Sequence, residues 1–298
     1  MPDKRARKSA KKPAAKKTAK KPAKKPAARK PRAPRKRMLD PNDPHFIPGI
    51  FNYCDRWCER CEFSHRCHNF AENELYFGED PEARDVTNPK FQKTLKRIYA
   101  DAQKILDAAL AKATTVPDPN AIEAAAAHEK HVERRARAIG QKETKLAITY
   151  AHMVDEWFNN ELRLPLEHVQ DLERRVETGE VSVATAKGDL VRLNDCVEVI
   201  RWYQHFIFVK LGRAFSSLVE EQERPEIAHE KDSDGTAKVA LISMDRSIEA
   251  WSALSEMFPQ KADSILEIQV VLSRLRTSLS AKFPEARKFI RPGFDEPR

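Results

Sequence analysis

Four of the five cysteines in this 298-residue chain crowd into residues 54–67, at Cys54, Cys58, Cys61 and Cys67. Their spacing is Cys-x3-Cys-x2-Cys-x5-Cys. The thiolate is the form of cysteine that binds metal, and four thiolates brought to one centre repel one another unless a cation offsets their charge. The pattern therefore predicts a metal centre with Cys54, Cys58, Cys61 and Cys67 as ligands. Structural zinc usually takes two short cysteine knuckles a dozen or more residues apart, because two turns must meet across a small fold. Here the ligands are bunched. Three close thiolates with a fourth nearby suit the corners of an iron-sulfur cubane. A 4Fe-4S cluster is thus the first expectation, zinc the second, and reduced thiols without metal the third. His65 and His68 could replace a cysteine as ligand, but two exposed polar residues is the simpler expectation for them. Trp57, Phe63 and Phe70 are expected to pack around the sulfurs and limit solvent access.

Two other sets of residues could do chemistry. Glu198, Arg201 and His205 follow one another at helical spacing, so a carboxylate, a fixed cation and a titratable imidazole would share a stripe and form a small-ligand pocket. The competing reading is a helix showing one polar stripe to water. Asp155 and Glu156 could approach the same place, whereas Asp245 and Arg246 read as surface residues. The second set is the N-terminal run. Residues 1–37 hold 18 of the chain's 54 Lys and Arg and one of its 45 acidic residues, a net of +17, which leaves 36 basic against 44 acidic, or −8, for the remainder. Lysines at Lys11, Lys12, Lys16, Lys17, Lys20, Lys21, Lys24 and Lys25, with Arg35, Lys36 and Arg37 at the end, would displace counterions from a phosphate backbone. Binding of that kind ignores sequence and weakens steeply with salt. Nucleic acid is the expected partner, with other polyanions and anionic surfaces also open.

The second half of the cysteine motif, Cys58-Glu-Arg-Cys61-Glu-Phe-Ser-His-Arg-Cys67, resembles the Cys-x2-Cys-x5-Cys element that closes the 4Fe-4S site of RecB-type nucleases of the AddB kind. In that family the first cysteine lies far upstream, whereas here Cys54 is adjacent, and its acidic, lysine-containing nuclease strands have no counterpart. The first half has the bare radical-SAM spacing, but such an enzyme needs a strand-rich barrel and an open fourth iron site that Cys67 would tend to close. The motif and the helical pattern together resemble a bacterial all-helical family with an N-terminal Cys-x3-Cys-x2-Cys-x5-Cys motif, a resemblance that implies no activity. Residues 1–37, with Lys-Pro-Ala repeated at Lys12, Lys21 and Lys25, resemble the Lys/Ala/Pro tails of linker histones.

The elements that must position these residues are helical. With 8 glycines and 8% aromatic residues, a turn-rich sandwich or barrel is not expected. The reading is an all-α bundle of about six helices, with a small cysteine-rich metal-binding cap over residues 39–78 and a disordered basic arm over residues 1–38. A short helix is expected to 77 and a loop over 78–88. Helical periodicity then covers residues 89–116, 121–139 with a break near Gly140, and onward through Trp157 until Pro165. A charged helix near 166–176 precedes the longest apolar pattern, 181–218. Cys196, Ile200, Ile207, Leu211 and Leu218 share one side of that pattern, while Trp202, Phe206 and Val209 share the other, which predicts a central helix. A charged linker is expected near 222–235, with Gly235 and Thr236 starting the next helix. Its inward face is Leu241, Met244, Ile248, Trp251 and Leu254. A last helix, 261–281, stops at Pro284, and Phe289, Ile290 and Phe294 predict a tail folded back on the bundle.

No run of apolar residues reaches the roughly 18 to 20 needed to span a bilayer, and the N-terminus lacks the apolar centre of a signal peptide. The crowded cysteines, with Cys196 alone in a helical pattern, predict a reducing cytosol and, through the arm, association with the nucleoid. No glycine-rich phosphate loop, nucleophile elbow or zinc-protease signature is present. The functional expectation is a metal-binding helical protein, its centre structural or redox-sensing, associated with nucleic acid through the arm. Two alternatives stand beside it. One is an enzyme that uses the cluster for electron transfer or the Glu198, Arg201, His205 pocket for a ligand. The other is a non-enzymatic scaffold.

Overall fold

The computed structural model describes residues 39–78, 81–112, 121–161, 163–226 and 231–296. The basic arm expected over residues 1–38 lies outside them, and so do the lysines and arginines assigned to nucleic acid. Among the described residues there is no strand. Nine α-helices follow in order: α1 (His68–Phe77), α2 (Pro81–Arg84), α3 (Pro89–Lys112), α4 (Ala121–Gly140), α5 (Lys142–Asn160), α6 (Leu164–Glu177), α7 (Val183–Glu223), α8 (Asp232–Met257) and α9 (Ala262–Lys282). The all-α bundle is therefore as expected. Six of the nine run 19 residues or more.

Local chemistry sets several boundaries. Gly140 ends α4 and Gln141 interrupts the ladder before α5, at the predicted break. Pro165 does not terminate α5. It sits in the first turn of α6, where its missing N–H costs nothing. Ser182 caps α7 by accepting from the Thr185 N–H at 3.1 Å. Residues 81–84, read as loop, form one helical turn.

The core is built from α5, α7, α8 and α9, with α4 and α6 packed on α7. Tyr150, Ile200, Tyr203, Ile207, Leu211, Leu241, Met244, Trp251 and Ile265 are fully enclosed. Edge-to-face contacts join Trp157 to Trp251 and Phe215 to Phe283. α7 buries its first apolar side in this core, as expected. Its second side, Trp202 and Phe206, is half-buried, and Val209 is 59% exposed.

The most enclosed helix is α8 rather than α7. Half of its 26 residues are buried, against 11 of 41 in α7. Its face of Ser233, Gly235, Thr236, Ser243 and Ser247 reads as polar, yet Ser243 and Ser247 donate to the carbonyls one turn back, each at 2.8 Å. A hydroxyl satisfied within its own helix can be buried at little cost. Of the linker expected near 222–235, the first two residues end α7 and the last four begin α8 at Asp232, with Gly235 and Thr236 inside that helix; 227–230 lie outside the described residues.

α3 departs from expectation in another way. Its apolar face is half-buried only from Phe91 to Ile98, against α1 and α2, and then runs into solvent, with Ile105 51% and Leu106 53% exposed.

Candidate metal centre

The segment before α1 is a chain of tight turns. Residues Cys58–Arg60 and Ser64–Arg66 are single 3-10 turns, closed by the Cys61 N–H donating to the Cys58 carbonyl and the Cys67 N–H to the Ser64 carbonyl, both at 3.2 Å. In such turns residues three apart eclipse one another. Positions 58, 61, 64 and 67 are a three-residue series, and all four line one cavity. The x5 gap of the motif is thus two steps of three, with Ser64 at the middle step. Cys54 joins them across Arg56, whose φ of 61° turns the chain through the left-handed region that a non-glycine residue rarely adopts.

The four predicted ligands therefore line one cavity. The cavity is small, about 20 Å³, and Ile50, Phe51, Trp57, Phe70 and Phe294 supply apolar wall. Trp57 and Phe70 lie where expected; Phe63 packs edge-on against Phe294 at 5.2 Å. No disulfide joins these cysteines. Burial, helped by the neighbouring Cys54, Cys67, Glu59 and Cys61, pushes the Cys58 thiol up to about 11. Burial also raises Cys61. Sulfurs in this setting favour the neutral form unless a cation is supplied, and four soft donors in an apolar wall fit zinc or iron. They are arranged around the cavity: among the described residues no group of three or more His, Cys, Asp or Glu side chains is gathered as the ligands of a metal ion.

His65 and His68 do not line the cavity. The His65 carbonyl bonds the His45 ring, and His68 faces the Leu39 carbonyl, Phe46 and Glu72.

Two anchors hold the segment on the bundle. At the first, Asp55 accepts from the Tyr203 hydroxyl at 2.6 Å and from Arg246 at 2.7 Å, while the Asp55 carbonyl accepts from the Trp202 indole at 3.0 Å. Trp57 stacks on Trp202 at 4.9 Å. Arg60 lies over Trp57 and donates to Asp195 and Glu198, each at 2.5 Å. At the second, the half-buried Asp232 of α8 accepts from Ser217, Arg213 and Tyr53. Burial opposes its charge, but those three donors prevail and hold the carboxyl below its usual range. The Tyr53 ring rests on Phe289 at 4.7 Å, and both rings press on Gly235.

The C-terminal tail completes the enclosure. Gly293, at φ 76°, lies against Ile47 and Ile50, and Phe294 enters the cavity wall. Asp295 fixes this turn through Arg291 at 2.9 Å and Lys238 at 2.8 Å. Burial works against its charge, but these partners hold the carboxyl far below the usual range.

Glu198, Arg201 and His205 do not converge into a pocket. Glu198 turns to Arg60 and Asn194, whereas Arg201 turns to Asp155 at 3.0 Å, Gln204 and the face of Phe158. His205 is exposed. The α7 stripe thus has its members drawn to different partners: Glu198 to the cysteine segment and Arg201 to α5. Arg246 is exposed, as expected, and also clamps Asp55, while the half-buried Asp245 pairs with Arg276 and Arg287. The sequence offered no signal for the Arg246 contact, which spans 191 residues. Ser64 could have been found by counting in threes. Cys196 is buried as a small apolar group, as expected.

No helix among the described residues is long and apolar enough to cross a membrane. Searches against protein families, curated proteins and solved structures return no match to this chain.

Proposed function

We propose that this chain is a metal-binding helical protein whose four-cysteine centre fastens its N-terminal segment and C-terminal tail to the bundle, and whose basic arm holds it on nucleic acid. The observation that carries the reading is the meeting of Cys54, Cys58, Cys61 and Cys67 on one cavity. Four thiolates on one zinc ion sit about 2.3 Å from it and nearly touch one another. Four cysteines bunched within fourteen residues suit the corners of a 4Fe-4S cluster better than zinc's two separated knuckles, and that is the preferred occupant. Such a cluster would supply a covalent cross-link and a redox-sensitive charge. Ile50, Trp57, Phe70 and Phe294 would shield it from water, and Asp55 with Arg60 would hold the ligand-bearing turns against α7 and α8. The account of the arm rests on the composition of residues 1–37, a net of +17 against an acidic remainder.

Anaerobic purification followed by a visible spectrum and metal analysis tests the centre. Iron and sulfide in equal amounts with broad visible absorbance is the expected result. A colourless protein with stoichiometric zinc moves the reading to zinc, and a protein holding neither removes it.

A further inference from the structure

Residues 52–55 run antiparallel along α7. Arg213 donates to the Asn52 carbonyl at 3.3 Å, whereas the Trp202 indole and the Tyr203 hydroxyl hold Asp55 two to three turns earlier. Residue 54 therefore passes over the turns between, where Phe206 and Lys210 lie, while the Cys54 thiol itself donates to the Phe51 carbonyl at 3.5 Å. Lys210 is 6% exposed, with its ammonium 5.1 Å from the centre of the Phe206 ring. Among the described residues no carboxylate pairs with that ammonium and no acceptor bonds it. Its charged surroundings are Arg213, Cys54, Arg56 and Asp232. Two of these are cations. Asp232 is already committed to Arg213, Ser217 and Tyr53.

Lys210 is largely covered and its ammonium has no counter-charge, an arrangement that costs stability and that the neighbouring guanidinium groups make costlier. The remaining anionic candidate in its surroundings is the Cys54 sulfur. Four thiolates on a zinc ion or a cubane leave the whole centre negative, and a fixed cation in a low-dielectric setting stabilises such charge strongly. We infer that Lys210 is the counter-charge of the metal centre, a positioning residue that pairs with the metal-bound thiolate of Cys54 and holds the loaded state. This rests on the metal reading above.

The test compares the purified, metal-loaded protein with Lys210→Met and Lys210→Arg variants, timing metal release to a chelator and following thermal unfolding before and after stripping. Methionine fills a similar volume without the charge. Lys210→Met should release metal faster, by about tenfold to a hundredfold, and Lys210→Arg should stay near the parent. In stripped protein Lys210→Met should be at least as stable as the parent, because an unpaired buried charge has gone. That opposition of signs separates a counter-charge from a packing residue. Where Lys210→Met gives no folded protein, Lys210→Gln serves the same comparison. Equal release rates, or equal weakening of loaded and stripped protein, overturn the inference while leaving the metal reading intact. A parent protein without metal overturns both.

Discussion

Asp55 is the residue on which the placement of the cysteine turns most depends, because one carboxylate and its own carbonyl meet Tyr203, Arg246 and Trp202 together. Asp55→Ala leaves the Tyr203 O–H without its acceptor, although its oxygen still accepts from Arg246 at 2.6 Å, and should lower unfolding stability by about 1 to 3 kcal/mol; denaturant unfolding of the metal-loaded protein measures it. Asp295 carries a pH prediction. Its carboxyl titrates at about 4 in an unfolded chain and lower in the fold. Its stabilisation is therefore fully present above about pH 4 and is lost as pH falls toward the depressed native value. Asp295→Asn should cost about 1 to 3 kcal/mol at neutral pH, and urea unfolding should show that gap closing below about pH 4. At this scale the four cysteines were legible because their spacing is local. Arg246 was not, since its meaning comes from Asp55, 191 residues away in sequence.

At the scale of elements, the packing of α8 against the cysteine segment depends on one missing side chain. A Cβ at Gly235 would come within 2.5 Å of the Tyr53 ring and 2.7 Å of Phe289, with a ring on either side. Alanine would gain about 1 kcal/mol of helix propensity, but pushing both rings aside should cost about 1 to 3 kcal/mol. Gly235→Ala should therefore lower the melting temperature and speed metal release, whereas a raised melting temperature would contradict this packing. The helices themselves were legible: the Leu241, Met244, Trp251 and Leu254 series and the Ile265, Ile268, Leu272 and Leu275 series are both buried as their periodicity demands. The centrality of α8 was not legible. Hydropathy treats Ser243 and Ser247 as solvent-facing, and only their bonds to carbonyls within the helix show why they need no water. Nor was the exposed end of α3, where amphipathic spacing alone does not show whether a partner surface reaches Ile105 and Leu106.

Taken as a whole, the described chain is a helical bundle whose N-terminal turns and C-terminal tail meet around four sulfurs, while its remaining charge excess lies in residues 1–37. The arm was legible as charge, a net of +17 over residues 1–37, and the disorder expected of it lies outside the described residues. The proposed role predicts that duplex affinity of the full chain falls by about a thousandfold or more between about 50 and 200 mM salt. A chain lacking residues 1–37 should bind weakly at both concentrations, and unchanged affinity would remove nucleic acid from the account. The central claim is that the four cysteines grip one metal centre, and X-ray absorption at the metal edge of the purified protein tests it most directly. The account predicts a first shell made of sulfur alone, at about 2.3 Å, lost when Cys58 and Cys61 are replaced by serine. The absence of any stoichiometric metal edge, or a first shell of nitrogen and oxygen that survives those substitutions, would contradict it.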